Sequence, residues 1–224
     1  MYLQTCCQRF PGSMKGVLFI LMLAAACMTD VSHGNTVNSI TPAEIHDFVE
    51  DTILDLFRKN PGYYSDGFDF PVGKPDGKGY YNAQGFQKNN HLGDDWNGNK
   101  GGNTDFGDTI YAVSNGYISQ SVQFFGGWGK VMREVSAWNE NGKFMKVESL
   151  YAHMDEMLVK KGDFVKKGQA IGTIGNAGGI YLAHLHFEVR NSPGLELGAG
   201  YSSDTTGYYN PTLFIKQHRK ISSQ

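Results

Sequence analysis

At 224 residues the chain has room for one domain of ordinary size with a short helical preface. Its 29 glycines, 13% aromatic content and 19% charged residues describe a soluble, β-rich protein. The formal net charge is −2; removing residues 1–26 takes away Arg9 and Lys15 and leaves 18 basic against 22 acidic residues, a balance that excludes a basic nucleic-acid-binding field and names no partner.

The first predicted element is an export signal. Gly16 to Ala26 is an unbroken apolar and small-residue run that follows Lys15 and ends at Ala24-Ala25-Ala26-Cys27. It is too short to span a bilayer, which takes roughly 20 residues. A basic flank, a short apolar run and small residues at its end make a secretory signal over residues 1–27. Met14 is an alternative start, because the segment from there to Cys27 is a complete signal. Leu23–Cys27 resembles a bacterial lipobox, with Ala24 where leucine is preferred; plain cleavage after Ala26 is the alternative. The lipobox reading expects membrane attachment through an acylated Cys27. Cys6, Cys7 and Cys27 are the only cysteines, so a metal farther along must be held by histidine and carboxylate.

Residues 28–40 read as a polar tether and residues 41–62 as a helix. Thr41 caps it, Pro42 takes its first position and Glu44 completes a capping box. Ile45, Phe48, Val49, Leu54, Leu56 and Phe57 form its apolar stripe, and His46 reads as a surface residue. Residues 63–218 then read as one mainly antiparallel β domain with a short tail at 219–224. Strands are expected at Thr109–Val113, Gly116–Phe124, Lys130–Trp138, Lys143–His153 and Ala183–Asn191, with a hairpin across Gly162–Gly172.

Three short patterns carry the chemistry. His91-Leu92-Gly93-Asp94-Asp95 is an H-x-x-x-D, weak by itself, in which Asp94 reads as solvent-facing, with a hydrogen-bond partner of a metal-binding histidine as the alternative. Tyr151-Ala152-His153 ends a strand, where a single histidine is commonly structural. In His184-Leu185-His186-Phe187-Glu188-Val189-Arg190 the even-numbered residues share one strand face, so two imidazoles can converge on one metal or substrate, or simply be solvated.

Together and in this order the patterns resemble the signature of the lysostaphin-type zinc endopeptidases, the LytM-domain family. The resemblance runs from about Phe70 to Pro211 and includes GDFVKKGQAIGTIGNAG and HLHFEVR. It implies an antiparallel β-roll with lipoyl-like hairpins, to which the helix at residues 41–62 adds one N-terminal helix. It further implies one zinc held by His91, Asp95 and His186, non-ligand catalytic histidines at His153 and His184, and peptidoglycan peptides as substrate. Two histidines and a carboxylate leave a position at which zinc activates water near neutral pH. A neutral imidazole then serves as base and returns the proton to the leaving amine. Tyr80, Tyr81 and Tyr151 are candidate oxyanion donors, with plain packing as the alternative.

Two other functions compete. A non-catalytic regulator of wall amidases requires a broken ligand, and none is broken. A lipoyl- or biotinyl-like carrier shares the Gly-Asp-x-Val-x-x-Gly-Gln hairpin but has no use for the histidine set. The expected setting is the cell envelope, periplasm or outer membrane. The expected bond is a D-Ala–diamino acid cross-link rather than a glycine bridge.

Overall fold

The computed structural model describes residues 52–221. The export signal, Cys27, the tether, His46 and the start of the predicted helix lie outside the described residues.

Helix α1 occupies residues 52–59 within the described part. Ile53 and Phe57 lie one turn apart and share a buried face, as the 3.6-residue period requires. They pack on Val135 and Ala137, with Tyr64 and Phe164 closing over Phe57 at ring distances of 5.7 and 6.0 Å. Burying Phe57 completely contributes roughly 2–3 kcal/mol, which helps to hold this helix on the sheet.

Among the described residues ten strands follow: β1 Tyr80–Gln84, β2 Asp94–Gly98, β3 Thr109–Tyr111, β4 Gly116–Gln123, β5 Lys130–Glu140, β6 Lys143–Met157, β7 Phe164–Val165, β8 Ala170–Ile174, β9 Leu185–Arg190 and β10 Tyr208–Tyr209. They form one open antiparallel sheet whose main path is β1-β2-β9-β6-β5-β4-β7. β10 joins β9, and β8 joins both β3 and β6. β6 is long enough to pair with β5, β8 and β9, which makes it the spine of the sheet.

Alternation decides what each face does. Leu185, Phe187 and Val189 of β9 enter the main core with Trp96, Met132, Tyr151 and Ile174. The opposite face of β9 carries His186, Glu188 and Arg190, all buried. The fold is thus the expected antiparallel β architecture, with one addition to the single helix expected from sequence. Helix α2, Pro211–Gln217, is capped by the Asn210 side chain, which accepts a hydrogen bond from the Leu213 N–H, and has Pro at its first position. Its Phe214 and Ile215 seal the open end of the core, with the Phe214 ring 5.0 Å from Phe68.

Candidate metal centre

The site forms where β2, β9 and β6 run side by side. Asp95 lies directly opposite His186, and His186 directly opposite Ala152, so one row across three strands fixes the centre. Gly93 allows this close approach: a Cβ there would meet the Phe187 carbonyl oxygen at 2.6 Å and His186 Cε1 at 3.0 Å. His91 precedes β2 and is brought back over Asp95 by the tight turn at Lys88–Asn90. Gln87, Asn89 and Asn90 adopt left-handed φ values of 64°, 56° and 62° in that turn. Asparagine tolerates this conformation better than most residues.

His153 reaches the same centre through a β-bulge. Lys130 pairs with Met154 and Met132 with Tyr151, so β6 holds one more residue than β5 across this interval. His153 takes a left-handed φ of 59° there. The extra residue turns its side chain from the core face, where Tyr151 points, to the face of His186, with ring centroids 5.5 Å apart. His184 stands just before β9, bridged to Gly175, with its ring 4.7 Å from that of His153. The five residues selected from sequence are therefore brought together.

The donor atoms meet at one point. His91 Nε2 and His186 Nδ1 are 2.9 Å apart, and Asp95 Oδ1 lies 3.3 Å from the first and 3.0 Å from the second. The outer nitrogens face acceptors: His91 Nδ1 is 3.2 Å from the Gln84 carbonyl oxygen, and His186 Nε2 is 2.9 Å from Glu188 Oε1. Carbonyls and carboxylates only accept, so the outer nitrogens carry the hydrogens. In neutral rings two bare lone pairs and a carboxylate oxygen then face one another in a buried space, an arrangement that calls for a cation. His91, Asp95 and His186 thus fit a small divalent metal, and the outward hydrogen bonds are of the kind that orient metal-binding imidazoles.

The electrostatics agree. Burial opposes charge on His186, yet the hydrogen bonds to Asp95 and Glu188 outweigh it and push the imidazole up to about 9, so without a metal a proton takes the cation's place there, and a bound metal has to displace it. Burial also works against the Asp95 carboxylate, but His186 and His91 hold it well below the usual carboxylate range. His153 is pulled down to about 3, first by burial and then by His186 and His184, which makes it a neutral imidazole. Its Nδ1 lies 3.3 Å from the Trp128 carbonyl oxygen, and His184 Nδ1 lies 2.8 Å from that of Leu182. Both rings therefore donate through Nδ1, which leaves Nε2 of the neutral His153 as an acceptor, while His184 Nε2 lies 3.8 Å from Asp95 Oδ1.

A cleft opens over these atoms. Its walls include Trp128, Tyr181 and Tyr201, which sequence reasoning did not single out. Tyr201 packs 5.1 Å from His91, Tyr181 5.0 Å from His153 and Trp128 5.3 Å from His186. The tyrosines proposed from sequence lie elsewhere. Tyr151 is fully buried and donates to Glu134, while Tyr80 donates to Asp108. Tyr81 is 48% exposed and does not line the cleft. Asp94 is also corrected. It is buried, not solvent-facing, and accepts hydrogen bonds from the Phe86 N–H, the Thr212 N–H and the Thr212 hydroxyl.

With this geometry in place, the chain can be set beside known proteins. The family description "Peptidase family M23" matches residues 90–198. Lipoprotein NlpD of Yersinia enterocolitica is 34% identical over 84 residues, covering 38% of this chain and 78% of that protein. Peptidoglycan DD-endopeptidase ShyB of Vibrio cholerae is 53% identical over 45 residues, which is 19% of this chain but only 11% of ShyB. Among solved structures, the antimicrobial peptidase lysostaphin from Staphylococcus simulans aligns with a TM-score of 0.46 and 25% identity, covering 62% of this chain and 50% of that one.

Proposed function

This chain belongs to peptidase family M23, and on that premise we propose that it is an exported zinc endopeptidase that hydrolyses peptide bonds in peptidoglycan. The observation that carries the reading is the convergence of His91 Nε2, Asp95 Oδ1 and His186 Nδ1 beneath two further imidazoles.

His91, Asp95 and His186 would hold the zinc ion. Zinc so bound supplies Lewis-acid polarisation of the scissile carbonyl and activates water near neutral pH. His153 and His184 do the proton work. Each offers Nε2 as an acceptor for a proton of the attacking water, and the same nitrogen then returns it to the departing amine. The backbone carbonyls of Trp128 and Leu182 hold the two rings in the required tautomer. Trp128, Tyr181 and Tyr201 narrow the cleft, limit water and position the peptide. The names of ShyB and two other relatives, all DD-endopeptidases of peptidoglycan, favour the D-Ala–diamino acid cross-link as the bond cut. Export follows from the apolar run before Cys27, and acylation of Cys27 would place the domain at an envelope membrane, as the name of the relative NlpD supports.

Metal analysis of single variants tests the assignment. Replacing His91, Asp95 or His186 by Ala should empty the site and abolish hydrolysis. His153→Ala and His184→Ala should keep zinc and lower turnover by about 10²–10⁴-fold. If His184→Ala empties the site and His186→Ala does not, the two strand histidines have exchanged roles. Mass spectrometry of muropeptides released from defined peptidoglycans identifies the bond. Full hydrolysis by a verified metal-free preparation would defeat the whole reading.

A further inference from the structure

We propose that Arg190 is a positioning residue that locks the metal-facing His186 and the cleft-wall loop 191–207 into one arrangement. The inference rests on the reading of His186 as a zinc ligand and is independent of which bond, if any, is hydrolysed.

Arg190 and Glu188 are completely buried behind the cleft. Glu188 reaches forward to His186 Nε2 with one oxygen at 2.9 Å, and its other oxygen accepts from Arg190 Nε at 2.7 Å. The same guanidinium donates through Nη1 to the Leu195 carbonyl oxygen at 3.0 Å and through Nη2 to that of Leu197 at 3.4 Å. Those carbonyls belong to the segment joining β9 to β10, which carries Gly200 and Tyr201 into the cleft. Glu148 supports the arrangement from behind: it pairs with Arg133 at 3.3 Å and accepts the Gly194 N–H at 3.1 Å, while Arg133 Nη1 shares the Leu195 carbonyl at 2.9 Å, so the bond to Leu197 is the loop contact that Arg190 alone supplies. Two buried carboxylates thus face two buried guanidiniums, so the network is charge-balanced.

Only a planar fork can serve the three directions at once. A lysine keeps the charge but presents a single compact donor group on a flexible stem. A carboxylate on the outer nitrogen fixes the tautomer and ring orientation of a metal-binding imidazole, and losing such a partner costs about 10–100-fold in metal affinity. Arg190 holds that carboxylate and the loop with one rigid group, so the affinity of the centre and the order of the cleft wall are set together.

Two readouts on the purified chain test this without a substrate: zinc affinity by competition with a chromophoric chelator, and amide hydrogen exchange across residues 191–207. Glu188→Gln should weaken zinc binding about 10–100-fold while loop exchange stays as in wild type, because the bonds from Arg190 to Leu195 and Leu197 remain. Arg190→Lys should weaken zinc binding similarly and also speed loop exchange by about tenfold, the effect of roughly one hydrogen bond. Zinc affinity or loop exchange within twofold of wild type in Arg190→Lys overturns the inference, as does unchanged zinc affinity in Glu188→Gln. If Arg190→Lys does not fold, wild-type exchange with and without zinc decides the coupling. Loading should slow the loop, and identical exchange defeats the inference. A wild-type chain that binds no zinc removes the ligand reading and this inference together; insensitive variants of a zinc-binding chain remove this inference alone.

Discussion

Gly175 is the position at which a single methyl group should separate metal binding from turnover. A Cβ there would stand 2.4 Å from the His153 carbonyl oxygen, 2.5 Å from the Asp155 nitrogen and 2.7 Å from the Met154 carbonyl carbon. All three are backbone atoms of the bulge that aims His153 at the site, so no side chain can swing aside. Retreat from 2.4 Å to even 3.0 Å moves the His153 carbonyl by about 0.6 Å, and the lever of the side chain carries at least that displacement to the ring. The bulge is already held in a left-handed conformation that costs about 1–3 kcal/mol, and overpacking adds about as much. Gly175 is also the bridge partner of His184, so both non-ligand histidines shift. A misplacement near 1 Å can lower turnover by about 10². His91, Asp95 and His186 lie on β2, β9 and the turn before β2, outside the contacts of the new methyl. Gly175→Ala should therefore keep one zinc per chain by metal analysis while hydrolysis of peptidoglycan fragments falls about 10–100-fold. Gly178→Asn is the control: nothing lies within 4 Å of its Cβ position, and its φ of 73° suits asparagine. Wild-type turnover in Gly175→Ala, or zinc lost along with turnover, would refute the reasoning.

The histidine set was legible because its elements are local patterns. Alternation along β9 puts His186 opposite Leu185 and Phe187, and no tertiary knowledge is needed to see it. The errors share two physical origins. Tyr151 stands two residues before His153, so simple alternation places both side chains on one face; the bulge between them reverses this. A bulge built on a non-glycine residue in left-handed conformation leaves no mark in composition. Asp94 was misread because helix α2 was not foreseen. Asp95 must face His186, so Asp94 shares the other side of β2 with Trp96, which is the core side, and there α2 supplies its partners. Asn210-Pro211 announces the helix as a cap followed by proline at the first position, so that signal was readable. Trp128, Tyr181 and Tyr201 were not readable: each sits outside the strands, Trp128 at the end of a 3-10 turn and Tyr201 bridged to His91, and long-range packing brings it to the histidines.

The structure makes two further predictions. Asp94→Ala strands three donors, two of them at the start of α2, and should destabilise the fold by about 3 kcal/mol. Denaturant melts should show the loss while zinc stoichiometry holds, because Asp95 faces the other way; a melt unchanged from wild type would mean that solvent replaces these bonds. The second concerns pH and a carboxyl remote from the metal. Glu134 is wholly buried, and burial pushes it up to about 7 despite hydrogen bonds from Tyr151, Ser114 and Ser136 that favour its charged form. A carboxyl raised in the folded state binds more protons folded than unfolded between its ordinary value of 4.5 and about 7. Its contribution to stability is therefore fully present below pH 4.5, declines as pH rises through that window and is gone above about 7. The interval corresponds to a loss on the order of 3 kcal/mol. Glu134→Gln imitates the protonated acid and can exchange donor and acceptor with Tyr151. It should match wild type near pH 5 and melt roughly 6–12 °C higher at pH 8. Comparing variant with wild type at each pH cancels the titration of the metal centre. A melting difference already present at pH 5 and unchanged to pH 8 would show that Glu134 is ionised throughout, with Tyr151 and the two serines outweighing its burial; no difference at either pH would show that it stays protonated.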